Sequence, residues 1–119
     1  MAKLHEVTDM LPLTHLSLHI LLALTKGDLH GYGVIREVRD NSGSGLNPGT
    51  GTFYSAIRRM LEEDLIHEVA SNRGKSDDAR RRYYSLTDFG RKVLQAEVER
   101  LEILLRSARA AVAPQPARD

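Results

Sequence analysis

A chain of 119 residues has room for one domain with a modest core, and not for two. Its 41% hydrophobic and 28% charged residues are ordinary for a soluble globular protein, and the absence of cysteine excludes disulfides, thiolate zinc sites and a cysteine nucleophile. The formal net charge is only +1, so nucleic-acid binding would have to come from local segregation of charge rather than from a basic surface overall.

The longest apolar run, around Leu16 to Leu24, is interrupted by Ser17 and His19 and is too short to span a bilayer. The N-terminus lacks a signal-peptide pattern, and a cytoplasmic location is expected. Residues 1–11 mix polar and apolar types and predict an arm or a short helical lead. Pro12 followed by Thr14 reads as a helix start, with Thr14 as N-cap. Leu16, Leu18, Ile20, Leu21, Leu22 and Leu24 then cover nearly the whole circumference of a first helix, which must be covered on more than one side. The domain core can take one side and a partner subunit the other.

A second helix is predicted from about residue 31 to 41, with Val34, Ile35 and Val38 as its apolar stripe. Gly31 and Gly33 near its start each cost about 1 kcal/mol relative to Ala, which a close approach to a neighbouring helix would offset. Residues 42–45 form a turn, and Asn47-Pro48-Gly49 leads into a third helix from Thr50 to Glu63, with Thr50 as N-cap. Phe53, Ala56, Ile57, Met60 and Leu61 share one arc of that helix. Thr52, Tyr54, Ser55, Arg58, Arg59 and Glu62 share the other, where hydroxyls and guanidiniums can bond bases and phosphates. The wheel alone fits an ordinary amphipathic surface helix equally well. Pairing of Arg58 and Arg59 with Glu62 and Glu63 is the structural alternative for those two arginines.

After Asp64 the period changes. Residues 65–70 and 81–86 are strand candidates, and the polar stretch between them is a long hairpin tip. Five basic residues (Arg73, Lys75, Arg80, Arg81, Arg82) face two acidic ones, Asp77 and Asp78, so positive charge collects on a hairpin just after the helix with the polar face. Three helices followed by a basic two-stranded hairpin is the order of a winged helix-turn-helix. Packing in the core is the favoured role for Tyr83 and Tyr84. Thr87 caps a last helix, along which Leu94, Val98, Leu101, Leu105, Ala108 and Val112 are spaced 4, 3, 4, 3 and 4, with Ile103 and Leu104 widening the seam. A seam of this length, beyond a domain that has its own core, predicts self-association. The expected division is a DNA-binding domain at 1–86 including the arm at 1–11, a dimerisation helix at 87–113 and a disordered tail at 114–119.

Four fragments in this order resemble the PadR-type transcriptional regulators: Leu18-His19-Ile20-Leu21-Leu22-Ala23-Leu24 with His30-Gly31-Tyr32-Gly33-Val34-Ile35; Gly51 to Met60; Leu65-Ile66; and Arg82-Tyr83-Tyr84-Ser85-Leu86-Thr87-Asp88-Phe89-Gly90-Arg91. The resemblance covers Leu16 to about Leu94. Ser55 stands where the family commonly has Pro, and Asp64 where it commonly has Gly. The resemblance implies a mainly α fold with a small two-stranded wing, acting as a homodimeric repressor of its own operon and a neighbouring gene. It also implies that Tyr54 is the tyrosine of the recognition helix and that the wing basic residues look toward phosphates. Members with a single C-terminal helix dimerise through that helix and the first one, and some bind flat aromatic compounds in the dimer cleft. This chain has no Trp and few aromatics on its last helix, which does not favour such a stacking site.

The expected partners are double-stranded DNA, a second copy of the chain and, as an alternative role, a small apolar effector between the first and last helices. The expected DNA contacts are Thr50, Thr52, Tyr54, Ser55, Arg58 and Arg59 in the major groove, with Arg73, Lys75, Arg80 and Arg81 on flanking phosphates. The expected subunit contacts are Leu16 and Ile20 on the first helix, with Leu94, Val98, Leu101, Leu105, Ala108 and Val112 on the last. A winged helix used only to bind protein is the competing reading, since near-neutral charge is unusual for a tight DNA binder. Nothing points to catalysis or to a cofactor. His15 and His19 have i, i+4 spacing without a third ligand nearby, and Gly49-x-Gly51 lacks the rest of a phosphate-binding fingerprint.

Overall fold

The computed structural model describes residues 6–41, 43, 45–70 and 82–114. The expected hairpin tip, with Arg73, Lys75, Arg80 and Arg81, and nearly all of the expected tail lie outside the described residues.

The arm forms a short 3-10 turn, Val7–Met10, ahead of α1 (His15–Leu24), β1 (Leu29–His30), α2 (Gly31–Asp40), α3 (Thr50–Glu62), β2 (Ile66–Val69), β3 (Tyr83–Leu86) and α4 (Asp88–Val112). Thr14 caps α1 as predicted, its side chain accepting from the Ser17 amide. Ile20, Leu21, Ala23 and Leu24 of α1 are buried, whereas Leu16, Leu18 and Leu22 are half-covered. The predicted stripes hold on α2, where Val34, Ile35 and Val38 are buried, and on α3, where Phe53, Ala56, Ile57 and Met60 are buried. These side chains meet Leu65, Ile66, Tyr84, Leu86, Val93 and Leu94 in one core.

Two expectations need correction. The sheet has three antiparallel strands in the order β1-β3-β2, because Leu29 and His30 pair with Tyr84 and Tyr83. Two residues are too short for any period to reveal them in sequence. Thr50 does not cap α3: Gly49 occupies the N-cap position in extended conformation with no side-chain cap, and Thr50 is the first helical residue, exposed to solvent.

The end of α3 is built by hydrogen bonds that close back over its last turn. The Leu65 amide donates to the Met60 carbonyl at 3.0 Å and the Asp64 amide to the Leu61 carbonyl at 3.2 Å. This Schellman closure requires a left-handed residue at Asp64, whose φ is 61°. The chain then turns directly into β2. Thr87 ties α4 to the same point. Its hydroxyl donates to the Asp64 carbonyl and accepts from the Gly90 amide at 2.8 Å, and its own amide donates to the Leu65 carbonyl at 3.2 Å. Gly90 is required here, because a Cβ at that position would collide with the Leu65 carbonyl oxygen.

Glu97 is the one charged residue in this interior among the described residues, at 1% exposure. Its carboxylate accepts from the Leu13 amide at 2.9 Å and from both Arg100 nitrogens that reach it, which fastens the arm to α4. Hydrogen bonding from Arg100, ahead of the opposing effect of burial, holds this carboxyl below its ordinary value.

Two measurements follow from these joints. Asp64→Gly relieves the left-handed strain and is expected to raise unfolding stability by about 0.5–1 kcal/mol. The urea midpoint should rise with the slope unchanged, and an unmoved midpoint would refute the strain argument. The Glu97 carboxyl is depressed in the folded state, so its stabilisation is complete above the unfolded carboxyl value and fades as pH falls through the folded one. Glu97→Gln is expected to cost about 1–2 kcal/mol at neutral pH, most of it through the Leu13 bond, since Arg100 is substantially exposed and screened. The difference from wild type should shrink as pH is lowered from neutrality toward the acid limb. A gap constant across that range would exclude the carboxylate as its source.

Candidate nucleic-acid interface

The outer face of α3 stands clear of the core because every inward position of the helix is filled by Phe53, Ala56, Ile57 and Met60. Thr50, Thr52, Tyr54, Ser55, Arg58 and Arg59 are all exposed, so the fold brings this whole predicted set to one surface. Among the described residues no ion pair joins Arg58 or Arg59 to Glu62 or Glu63. Both guanidiniums therefore keep their donors for an outside acceptor, and the structural alternative of i+4 pairing is not what the helix adopts. An open groove of about 560 Å³ runs between the start of α1 and this face, bordered by Thr14, Leu16, Thr52, Ser55 and Arg59.

Tyr54 sits at the other edge of the face, 40% exposed, its ring edge-on to Phe53 at 5.0 Å. Beside it the first turn of α2 and the start of β3 enclose a cleft of about 500 Å³. His30, Tyr32, Arg36, Tyr54 and Arg82 line it, and no carboxylate does. The His30 ring caps α2, its Nδ1 accepting from the Gly33 amide at 3.1 Å. It also stacks beside Tyr32, with ring centroids 6.3 Å apart, and meets Tyr83 edge-on at 5.5 Å. The Arg36 guanidinium lies 5.9 Å from the centre of the Tyr32 ring, and Tyr32 is 62% exposed. Arg82 pairs with Glu68 at 3.4 Å, but both are so exposed that the pair is weak and can exchange onto another anion.

Sequence reasoning passed over His30, Tyr32 and Arg36 as members of a site. A signal was present: Tyr32 and Arg36 are four residues apart on one helical face, next to two glycines and a histidine. The predicted core role of Tyr84 is seen directly. The residue is 5% exposed, and burial, followed by the nearby Glu68 charge, pushes its phenol above the ordinary value. His15 and His19 contact each other edge-on at 4.7 Å. Burial, then the neighbouring His15, lowers the His19 pKa and favours its neutral form. Among the described residues no three His, Cys, Asp or Glu side chains converge as a metal site would need, and no helix is long and apolar enough to cross a membrane.

On the proposed subunit interface, two residues must be set aside. Ile20 is fully buried and Leu94 is 6% exposed, both inside the domain's own core, because α1 turns that side inward and α4 still lies on the domain at Leu94. Past Glu97 the helix leaves the domain. Val98, Ile103, Leu104, Leu105 and Val112 are 39, 64, 52, 51 and 79% exposed, Leu101 is half-covered and Ala108 is exposed. A second cleft of about 570 Å³, between the end of α1 and α4, is lined by Leu22, Thr25, Gln95, Val98 and Glu102.

The model of the PadR-like family of transcriptional regulators matches residues 20–96. A crystal structure of a PadR family transcription regulator from Clostridium difficile is 28% identical, with a TM-score of 0.72 over 84% of this chain and 100% of that one. The structure of Bacillus subtilis PadR in complex with operator DNA shares the fold at 21% identity, with a TM-score of 0.58 over 89% of this chain and 52% of that one. An uncharacterized protein carried on a transposon of Streptomyces fradiae is 32% identical over 78 residues, 66% of this chain, and the match spans only 20% of that protein's length. With four helices and a small antiparallel sheet in winged-helix order, and with a family match across most of its length, the chain belongs to the PadR-like transcriptional regulators.

Proposed function

We propose that the chain is a homodimeric repressor that binds a two-fold symmetric DNA site controlling its own gene or a neighbouring one. The observation that carries this reading is the outer face of α3, where hydroxyls and two unpaired guanidiniums lie together in solvent. In the major groove Arg58 and Arg59 suit guanine edges, while Thr52, Tyr54 and Ser55 reach base edges or phosphate. Thr50, at the first turn, is placed for a phosphate. Tyr32, Arg36 and Arg82 in the adjoining cleft, and Arg73, Lys75, Arg80 and Arg81 on the wing, would take flanking phosphates. The solved complex of the Bacillus subtilis protein with its operator supports DNA as the partner. Such a regulator works in the cytoplasm.

The exposed stripe of Val98, Leu101, Leu105, Ala108 and Val112 supports a second copy as its occupant, with Leu16 at the edge of α1. A dimer sets two recognition helices to read half-sites about one helical turn apart. The cleft between α1 and α4 favours a second role beside this one, sensing a small apolar effector that alters the spacing of the two subunits.

If the dimer neutralises about six to eight phosphates, log K should fall against log salt with a slope of roughly −5 to −7. Arg36→Ala should make that slope shallower by about 0.9 and weaken all duplexes alike. Arg58→Ala should instead lose about 1–3 kcal/mol of discrimination between the selected and a scrambled duplex. Affinity indifferent to salt, or equal on every duplex, would favour a protein-interaction module instead. Leu105 is half-exposed in the single subunit, so Leu105→Asp should leave the domain folded and yield monomers in sedimentation, with tight operator binding lost. A dimer of unchanged size would rule out the α4 seam.

A further inference from the structure

Gly31 is fully enclosed although it opens α2, and its backbone lies outside the left-handed region that Gly27, Gly43 and Gly45 adopt. Conformation therefore does not require glycine there, and helix propensity opposes it. The space decides. A Cβ at position 31 would lie 2.5 Å from the Tyr54 hydroxyl oxygen and 3.1 and 3.2 Å from two of its ring carbons. No other side chain comes as close. The ring of Tyr54 is backed by fully buried Phe53, so it cannot retreat into the core. Gly31 on one side and Phe53 on the other leave the phenol a single lane, along the edge of α3 toward solvent.

We infer that Gly31 is a positioning residue for DNA reading: the bare backbone of the first turn of α2 holds the Tyr54 hydroxyl in register with the base-reading side chains of α3. The inference rests on the proposal that α3 enters DNA, and it extends the reading surface to a residue that touches no DNA. A methyl group at 31 would swing the phenol out of its lane and into the path of the duplex. The loss falls on discrimination between sequences, because the guanidiniums that attract phosphate are not displaced.

The test uses the full chain and two duplexes: the one that wild type enriches from a random-core library, and its scrambled counterpart. Gly31→Ala should lower the ratio of the two affinities about tenfold or more while leaving the salt slope unchanged. Tyr54→Phe removes the oxygen that a Cβ would strike, and the remaining ring carbons need give only a few tenths of an ångström. The double variant should therefore match Tyr54→Phe alone rather than multiply the two losses. A wild-type ratio in Gly31→Ala, or fully multiplicative losses in the double variant, would overturn the inference. The ring resonances of Tyr54, recorded without DNA, should shift in Gly31→Ala, and unchanged resonances would overturn it even if wild type enriched no sequence. That last result would count against the DNA reading separately. Should Gly31→Ala not fold, adding Tyr54→Ala should restore folding; failure to restore it would place the fault elsewhere than the phenol.

Discussion

The joint on which the molecule depends is the meeting of the α3 terminus with the start of α4. A Schellman closure ends α3 at Asp64 and Leu65, and Thr87 grips the carbonyls released there while capping α4 with the same hydroxyl. Gly90 lets the two backbones touch. A helix that reads DNA and a helix that joins subunits are thereby held at a fixed angle by groups with little rotational freedom. Without this joint, the spacing of two recognition helices across a dimer would be set by a flexible connection.

Around the joint, the elements divide into inward and outward duties by simple burial. The apolar arcs of α1, α2 and α3 and the inward residues of the sheet close one core. Glu97 marks where α4 stops serving that core: its carboxylate, buried but answered by Leu13 and Arg100, binds the arm to the helix. Beyond it the apolar residues of α4 have no intramolecular surface, which supports a second copy as their cover.

The nearly neutral chain concentrates its cations instead of spreading them. Arg58 and Arg59 on α3 and Arg36 and Arg82 in the cleft stand around Tyr54, with no carboxylate lining that cleft. This arrangement suits a polyanion met on one face, since repulsion from acidic residues elsewhere is screened beyond about 10 Å at ordinary ionic strength. The two clefts differ accordingly: the one beside α2 is aromatic and cationic, whereas the one between α1 and α4 mixes Leu22 and Val98 with Glu102.

The sequence by itself determined what is local. The caps at Thr14 and Thr87, the buried arcs of α2 and α3, the polar face from Thr52 to Arg59 and the order of helices and strands all follow from short-range periodicity and hydrogen bonding. The tertiary structure alone decided matters between residues far apart in the chain. It added Leu29 and His30 as a strand against β3, took Ile20 and Leu94 into the core, and gave the cap of α3 to Gly49 rather than Thr50. It also set Gly31 against Tyr54, and through that contact joined His30, Tyr32 and Arg36 to the face of α3. Periodicity says which face of a helix is buried. It cannot say which neighbour arrives there, because that depends on closing the chain over dozens of residues.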